Sequence, residues 1–223
     1  MAKVGASEPS SISPAYTPFE RRVDLFLHVF GLLALAAAAP WLLGRVIAAQ
    51  GTSEQIFAIS TYILGIAAML GASAAYHVTR PGPAKAILRR LDHSMIFVMI
   101  AGSYMPYAFR VLPARLGHPL AAFVWGVALA GILLKLLAPR TREGIFLLLY
   151  LAMGWTFLAV APALVTRMPL EETLLLFGGG LVYSLGSLIH ASARLPFHNA
   201  LWHVMVLTAA GLHFFAAGRL FRI

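Results

Sequence analysis

Cysteine is absent and charge is scarce: Asp, Glu, Lys and Arg make up 11% of the 223 residues, less than half the roughly 25% of an ordinary soluble domain. Without cysteine there is no disulfide framework, thiolate zinc site, iron–sulfur cluster or thiol nucleophile, so any metal must be held by His, Asp, Glu or Asn. Acids are scarcest, eight against seventeen Lys and Arg, which leaves a net charge of +9. The only lysines are Lys3, Lys85 and Lys135. None falls in the last apolar run, so a retinal Schiff base is excluded.

What is plentiful is apolar surface, with 60% hydrophobic residues and mean hydropathy +0.82. This balance points to lipid as the solvent. The basic residues fall in short clusters between long apolar runs, such as Arg80, Lys85, Arg89 and Arg90, or Arg140 and Arg142. That is the pattern of membrane loops rather than a phosphate-tracking patch, so the expected partners are membrane lipids and not nucleic acid.

A helix needs about 20 mostly apolar residues to cross the hydrocarbon core. Seven segments qualify, at 24–46, 54–77, 92–111, 118–137, 144–164, 170–190 and 198–219. The expected fold is an all-α seven-transmembrane helical bundle, with a polar tail at 1–23 and the membrane domain at 24–223. The tail is rich in Ser and Pro and has no short apolar core before a cleavage site, so no cleaved signal peptide is expected.

With the amino terminus inside, the inner segments hold Lys3, Arg21, Arg22, Arg80, Lys85, Arg89, Arg90, Lys135, Arg140, Arg142 and Arg194, eleven in all. The outer segments hold six: Arg45, Arg110, Arg115, Arg167, Arg219 and Arg222. Positive charge concentrates in the cytoplasm, which predicts a cytoplasmic amino terminus and an outside carboxyl terminus. A G-protein-coupled receptor would run the other way.

Ionisable groups in membrane spans are costly, and each is a candidate functional residue. Between Glu54 and Glu143 the only acid is Asp92, directly before His93. Ser73 and His77 lie four residues apart near the end of the second span, so they share a helix face. Asn199 and His203 repeat that spacing at the start of the seventh. The predicted topology puts His77, Asp92 and His203 at similar depth near the cytoplasmic face, a set suited to a divalent metal with His and oxygen ligands. Glu20, Asp24 and His28 form an i, i+4, i+8 ladder at the same end, able to hydrogen-bond a ligand's ring nitrogen. His213 lies ten residues beyond His203, about 15 Å deeper, and is expected to make a bundle contact or line a cavity wall. Taken singly, His77 or His203 also suits interhelical hydrogen bonding, and Ser73 suits close helix packing.

The run Ser73-Ala-Ala-Tyr-His77, then Leu91-Asp92-His93-Ser94, then Trp202-His203 with His213 ten residues on, resembles the hemolysin III family, which belongs with the progestin and adipoQ receptors. Glu20, Asp24, His28 and Gly31 are similar to its first-span pattern, with Asp24 where Asn is common. The resemblance implies seven helices with a cytoplasmic amino terminus. It also implies a zinc site: His77, Asn199 and His203 would stand at the ligand positions, and Asp92 would hold a water. Asn199 departs from the pattern, since a His is expected there. His198 is rotated about 140° from His203 and does not replace it.

Three functions follow as expectations. The first is a zinc-dependent hydrolase of a lipid amide or ester in the bacterial inner (plasma) membrane, with Asp92 and Ser73 as catalytic residues, since relatives include ceramide-cleaving enzymes. The second is a non-catalytic receptor-like or membrane-homeostasis protein with a structural metal. The third is a pore-forming cytolysin, against which seven resident apolar spans argue.

Overall fold

A computed structural model describes residues 17–138, 141–192 and 195–222, and among these every regular element is helical. Most of the 1–23 tail, including Lys3, lies outside the described residues, as do Arg140 and Arg194 of the charge count. The elements are α1 (Pro18–Ala48), α2 (Ser53–Val78), α3 (Pro83–Arg110), α4 (Ala114–Leu137), α5 (Glu143–Gly154), a 3-10 segment (Trp155–Val160), α6 (Ala161–Val165), α7 (Leu170–Ala191) and α8 (His198–Arg219). Six stretches are long and apolar enough to cross a membrane, with α5 through α6 counting as one of them. The remaining long helix, α3, begins nine residues before the expected start at 92, and its first turns carry Lys85, Arg89, Arg90 and Asp92.

Local sequence fixes where helices begin. Thr17 opens α1 with a reciprocal cap, its Oγ1 accepting from the Glu20 N–H at 3.2 Å while its own N–H donates to Glu20 Oε2 at 2.7 Å. Thr52 and Gln55 do the same for α2. Each such cap satisfies amide donors that the first helical turn leaves open. Glu20 also reaches across the bundle: its Oε1 accepts from the N–H of Phe197 at 3.0 Å. Phe197 precedes α8 in the left-handed region at φ 57°, a conformation unfavourable for a bulky residue. The Glu20 bond and an edge contact with Phe19 hold it there, which seats the start of α8 on the start of α1.

The helices pack in a ring in which α2 lies closely against α3 and α7 against α8, while α1 bridges α2 and α8. Gly65 and Gly102 allow the α2–α3 approach. A Cβ on Gly65 would stand 3.2 Å from the Val98 carbonyl oxygen, and one on Gly102 the same distance from that of Thr61. Apolar side chains gather in two main cores. One surrounds Phe97, Val124, Phe146 and Phe157, and the other surrounds Leu42, Ile59, Tyr62 and Phe214. Large apolar side chains such as Phe26, Phe30, Phe57, Leu64, Leu185 and Leu188 face outward instead, as a lipid-facing surface requires.

The segment expected as one helix over 144–164 is broken. α5 stops at Gly154, six residues follow in 3-10 geometry, and Pro162 in α6 has no N–H to continue an α-helical ladder. Tyr104 occupies the break: its hydroxyl lies 2.7 Å from the carbonyls of Met153 and Gly154 and accepts from the Phe157 N–H at 3.1 Å. Broken helices persist at membrane depth only where freed backbone groups find such partners. Tyr104→Phe is expected to lower stability by about 1–3 kcal/mol, the cost of leaving buried polar groups unpaired. Thermal unfolding in detergent checks this, and an unchanged melting temperature would remove Tyr104 from that role.

Candidate metal centre

Two of the three ladder residues on α1 turn inward, while Glu20 stays at the helix start as its cap. Asp24 is 0% exposed and His28 2%, whereas their neighbours Leu25, Phe26, Val29 and Phe30 face outward. α2 brings Ser73 and His77 to the same place, and α8 brings His203. The rings of His28, His77 and His203 lie with centroids 4.4–5.2 Å apart, and one nitrogen of each lies within 4.8 Å of one nitrogen of each of the others.

Asp24 sits behind all three rings. Its backbone carbonyl is 2.6 Å from His28 Nδ1, its Oδ1 is 3.0 Å from His203 Nδ1, and its Oδ2 is 3.9 Å from His77 Nδ1. A carbonyl or carboxylate oxygen can only accept, so the Nδ1 atoms of His28 and His203 carry the hydrogens and their Nε2 atoms keep lone pairs. Ser73, 5% exposed, has its hydroxyl 2.8 Å from His28 Nε2 and beside the Asp92 carboxyl. Its single hydrogen serves one of the two, so a metal that takes the His28 Nε2 lone pair leaves it to the carboxylate.

The donor set fits a divalent metal. Three imidazoles from three helices, two with their lone-pair nitrogen set by a bond at the other, match the ligand type of zinc sites that keep a position open for chemistry. Asp24 supplies a second sign: its Oδ2 is buried with no hydrogen-bond partner. A buried carboxylate so placed is costly unless positive charge faces it, and a cation drawn onto the imidazoles would provide that charge.

The sequence-selected residues divide as follows. His77 and His203 come together as two of the three imidazoles. Asp92 lies beside Ser73 on the wall of the same cavity. Asn199, one turn before His203, also lines that cavity. His28, read from the sequence as a supporting residue, is the third imidazole. His213 donates from Nε2 to the Leu176 carbonyl at 3.0 Å and lines the cavity's deeper end. His93 donates from Nδ1 to the Arg89 carbonyl at 2.7 Å. Sequence reasoning missed Lys135 and Glu143: Lys135, counted as a loop charge, is 5% exposed and donates to Glu143 Oε2 at 2.6 Å. The eight-residue gap between them across a helix end was the available signal.

The cavity itself measures about 790 Å³ and runs from the imidazoles, past Met99, Ile100 and Tyr104, to Tyr107, Leu164 and Leu176. The broken α5 segment forms part of its wall through Gly154, Trp155 and Phe157.

Comparison with known proteins gives the family of the chain. Residues 18–214 match the family described as "Haemolysin-III related". The chain is 30% identical over 201 residues to the "Hemolysin-3 homolog" of Bacillus subtilis (strain 168), covering 90% of this chain and 93% of that protein. It is 30% identical over 212 residues to the human "Monocyte to macrophage differentiation factor", covering 90% and 84%. A family match spanning every helix that contributes to the imidazole cluster, with relatives aligned over nearly their whole length, places this chain in the haemolysin-III related family.

Proposed function

We propose that this chain is a seven-span membrane protein with a cytoplasmic amino terminus that binds zinc on His28, His77 and His203 and hydrolyses an amide or ester bond of a membrane lipid. One observation carries the reading: three imidazoles backed by a buried carboxylate stand at the wall of an apolar cavity about 790 Å³ in volume. Pockets of this size and character bury most of a small apolar ligand. The up-and-down order of the helices supports counting α3 as the seventh span, since α2 and α4 lie on either side of it in sequence and pack against it.

When bound, a divalent metal supplies Lewis acidity, polarising a carbonyl and acidifying a water. The chain's residues do the rest. Asp92 accepts the proton that the attacking water loses, and the Ser73 hydroxyl, released from His28 Nε2 when that nitrogen becomes a ligand, donates to the Asp92 carboxyl and holds it in place. The water oxygen bonds to the acyl carbon, the C–N or C–O bond breaks, and Asp92 returns the proton to the leaving nitrogen or oxygen. Asn199, at the same wall, offers a neutral amide to the substrate's polar group. Apolar side chains further in exclude bulk water and receive the acyl chain.

The test is metal analysis of purified, detergent-solubilised protein followed by a fatty-acid release screen over amide- and ester-linked lipids. Zinc at about one ion per chain with release of fatty acid supports the proposal. Metal bound without release from any lipid, while an active relative turns over in the same assay, favours a receptor-like role with a structural metal.

A further inference from the structure

Resting on the lipid-cavity reading above, we propose that the mouth of the cavity is a binding site for a phosphate head group, so that the lipid it takes is an anionic phospholipid. Against the imidazole end of the main cavity lies a smaller pocket of about 390 Å³, and the two share Tyr76, Lys85, Arg89 and Glu143 as walls. The smaller pocket adds Arg90 and Lys135, which makes four cations around one carboxylate.

That carboxylate is already engaged. Glu143 accepts from Lys135 at 2.6 Å and from Arg89 at 3.1 Å. Lys85 donates to the Thr79 carbonyl at 2.9 Å and lies 4.8 Å over the Tyr76 ring, contacts that stabilise an ammonium without neutralising it. Among the described residues neither Lys85 nor Arg90 has a carboxylate partner.

A concave pocket with excess charge of one sign and apolar walls focuses its field and draws in counter-charge. Ammonium and guanidinium donors together suit phosphate oxygens. Basic residues at a cytoplasmic membrane surface are general, but here two of them line the same cavity as His77 and Asp92. A phosphate held by Lys85, on the wall the two pockets share, and by Arg90, in the smaller pocket, would leave the adjoining acyl linkage facing the main cavity and its imidazoles, with the chain directed toward Met99, Ile100 and Leu207. A choline or ethanolamine head group would bring a further cation into a pocket that already has too many.

The experiment is native mass spectrometry of the full-length protein in detergent with dioleoyl phosphatidic acid, dioleoyl phosphatidylcholine or inorganic phosphate. The mass of the bound species is recorded, so binding is read whether or not a bond is cleaved. Phosphatidic acid is expected to bind about thirtyfold more tightly than phosphatidylcholine, the scale set by two basic side chains at a membrane surface. Lys85→Gln with Arg90→Gln should remove that preference, and Arg115→Gln, at the opposite end, should leave it intact. Equal binding of the two lipids, or a preference that survives the double substitution, overturns the proposal. Displacement of the lipid by an equal concentration of inorganic phosphate also overturns it, since the site would then belong to a soluble anion. A salt titration of the unaltered protein tests the same point without variants: a preference that does not fall with ionic strength overturns it as well. Hydrolysis failing while phosphatidic acid binds selectively would sink the enzymatic reading and leave this one standing.

Discussion

Replacing His203 with alanine is expected to reduce bound zinc from about one ion per chain to background, because two imidazoles fall one short of the three protein ligands that an open zinc site needs. His77→Ala and His28→Ala should do the same. Asp24→Asn separates positioning from ligation. An amide oxygen can still accept from His203 Nδ1, which lies 3.0 Å from Asp24 Oδ1, but the negative charge behind the rings is gone. Loss of such a supporting carboxylate typically weakens metal binding about 10- to 100-fold. The Asp24→Asn protein should therefore still load with zinc but surrender it to a chelator that the parent resists. Acidification works in the same direction, since protons compete for the lone pairs of neutral imidazoles, so occupancy falls as pH falls. Mass spectrometric metal analysis, with circular dichroism to verify folding, reads all of these. Full metal content in well-folded His203→Ala protein would mean that the imidazoles serve to tie helices together and that zinc, if bound, sits elsewhere.

The sequence made much of this site legible because helical spacing is simple. Ser73 and His77, Asn199 and His203, and Asp24 and His28 each fall one turn apart, and topology put all three pairs at one end of the bundle. Adjacency was not legible. No spacing rule states that α1 lies between α2 and α8, so His28 read as a supporting residue rather than as one of three equivalent imidazoles. Resemblance drew attention to Asn199, because that position lies one turn from His203, but resemblance carries no information about an imidazole arriving from another helix. Hydropathy was a good ruler for helix existence and a poor one for helix ends. It placed the start of the third span at 92, where charge gives way to apolar residues, whereas the helix runs from Pro83 because backbone bonding does not depend on side-chain polarity. The break after Gly154 lay inside an unbroken apolar run. It depends on the Tyr104 hydroxyl from α3, a tertiary partner that periodicity does not reveal. Lys135 was misplaced for a related reason, since its buried position is sustained by Glu143 and by the Phe146 ring 4.2 Å from its ammonium.

Asp92→Asn should reduce lipid hydrolysis about 10²- to 10⁴-fold, the usual contribution of a positioned general base, while zinc content stays at the parent level. The two expectations follow from the same geometry. Asp92 stands outside the group of three imidazoles, so ligation does not require it, yet it is beside Ser73, whose hydroxyl also reaches His28 Nε2. Asparagine matches the shape of the aspartate and can still hydrogen-bond, but it cannot take a proton from water. A purely structural role for Asp92 would instead lower the melting temperature or the metal content along with activity, so these must be measured on the same sample. Fatty-acid release from the Asp92→Asn protein at the parent rate would show that the proton goes elsewhere. Of the nearby groups, His203 is committed through Nδ1 to Asp24 and would have to give up its place as a ligand to accept that proton, so the metal measurement would expose the exchange.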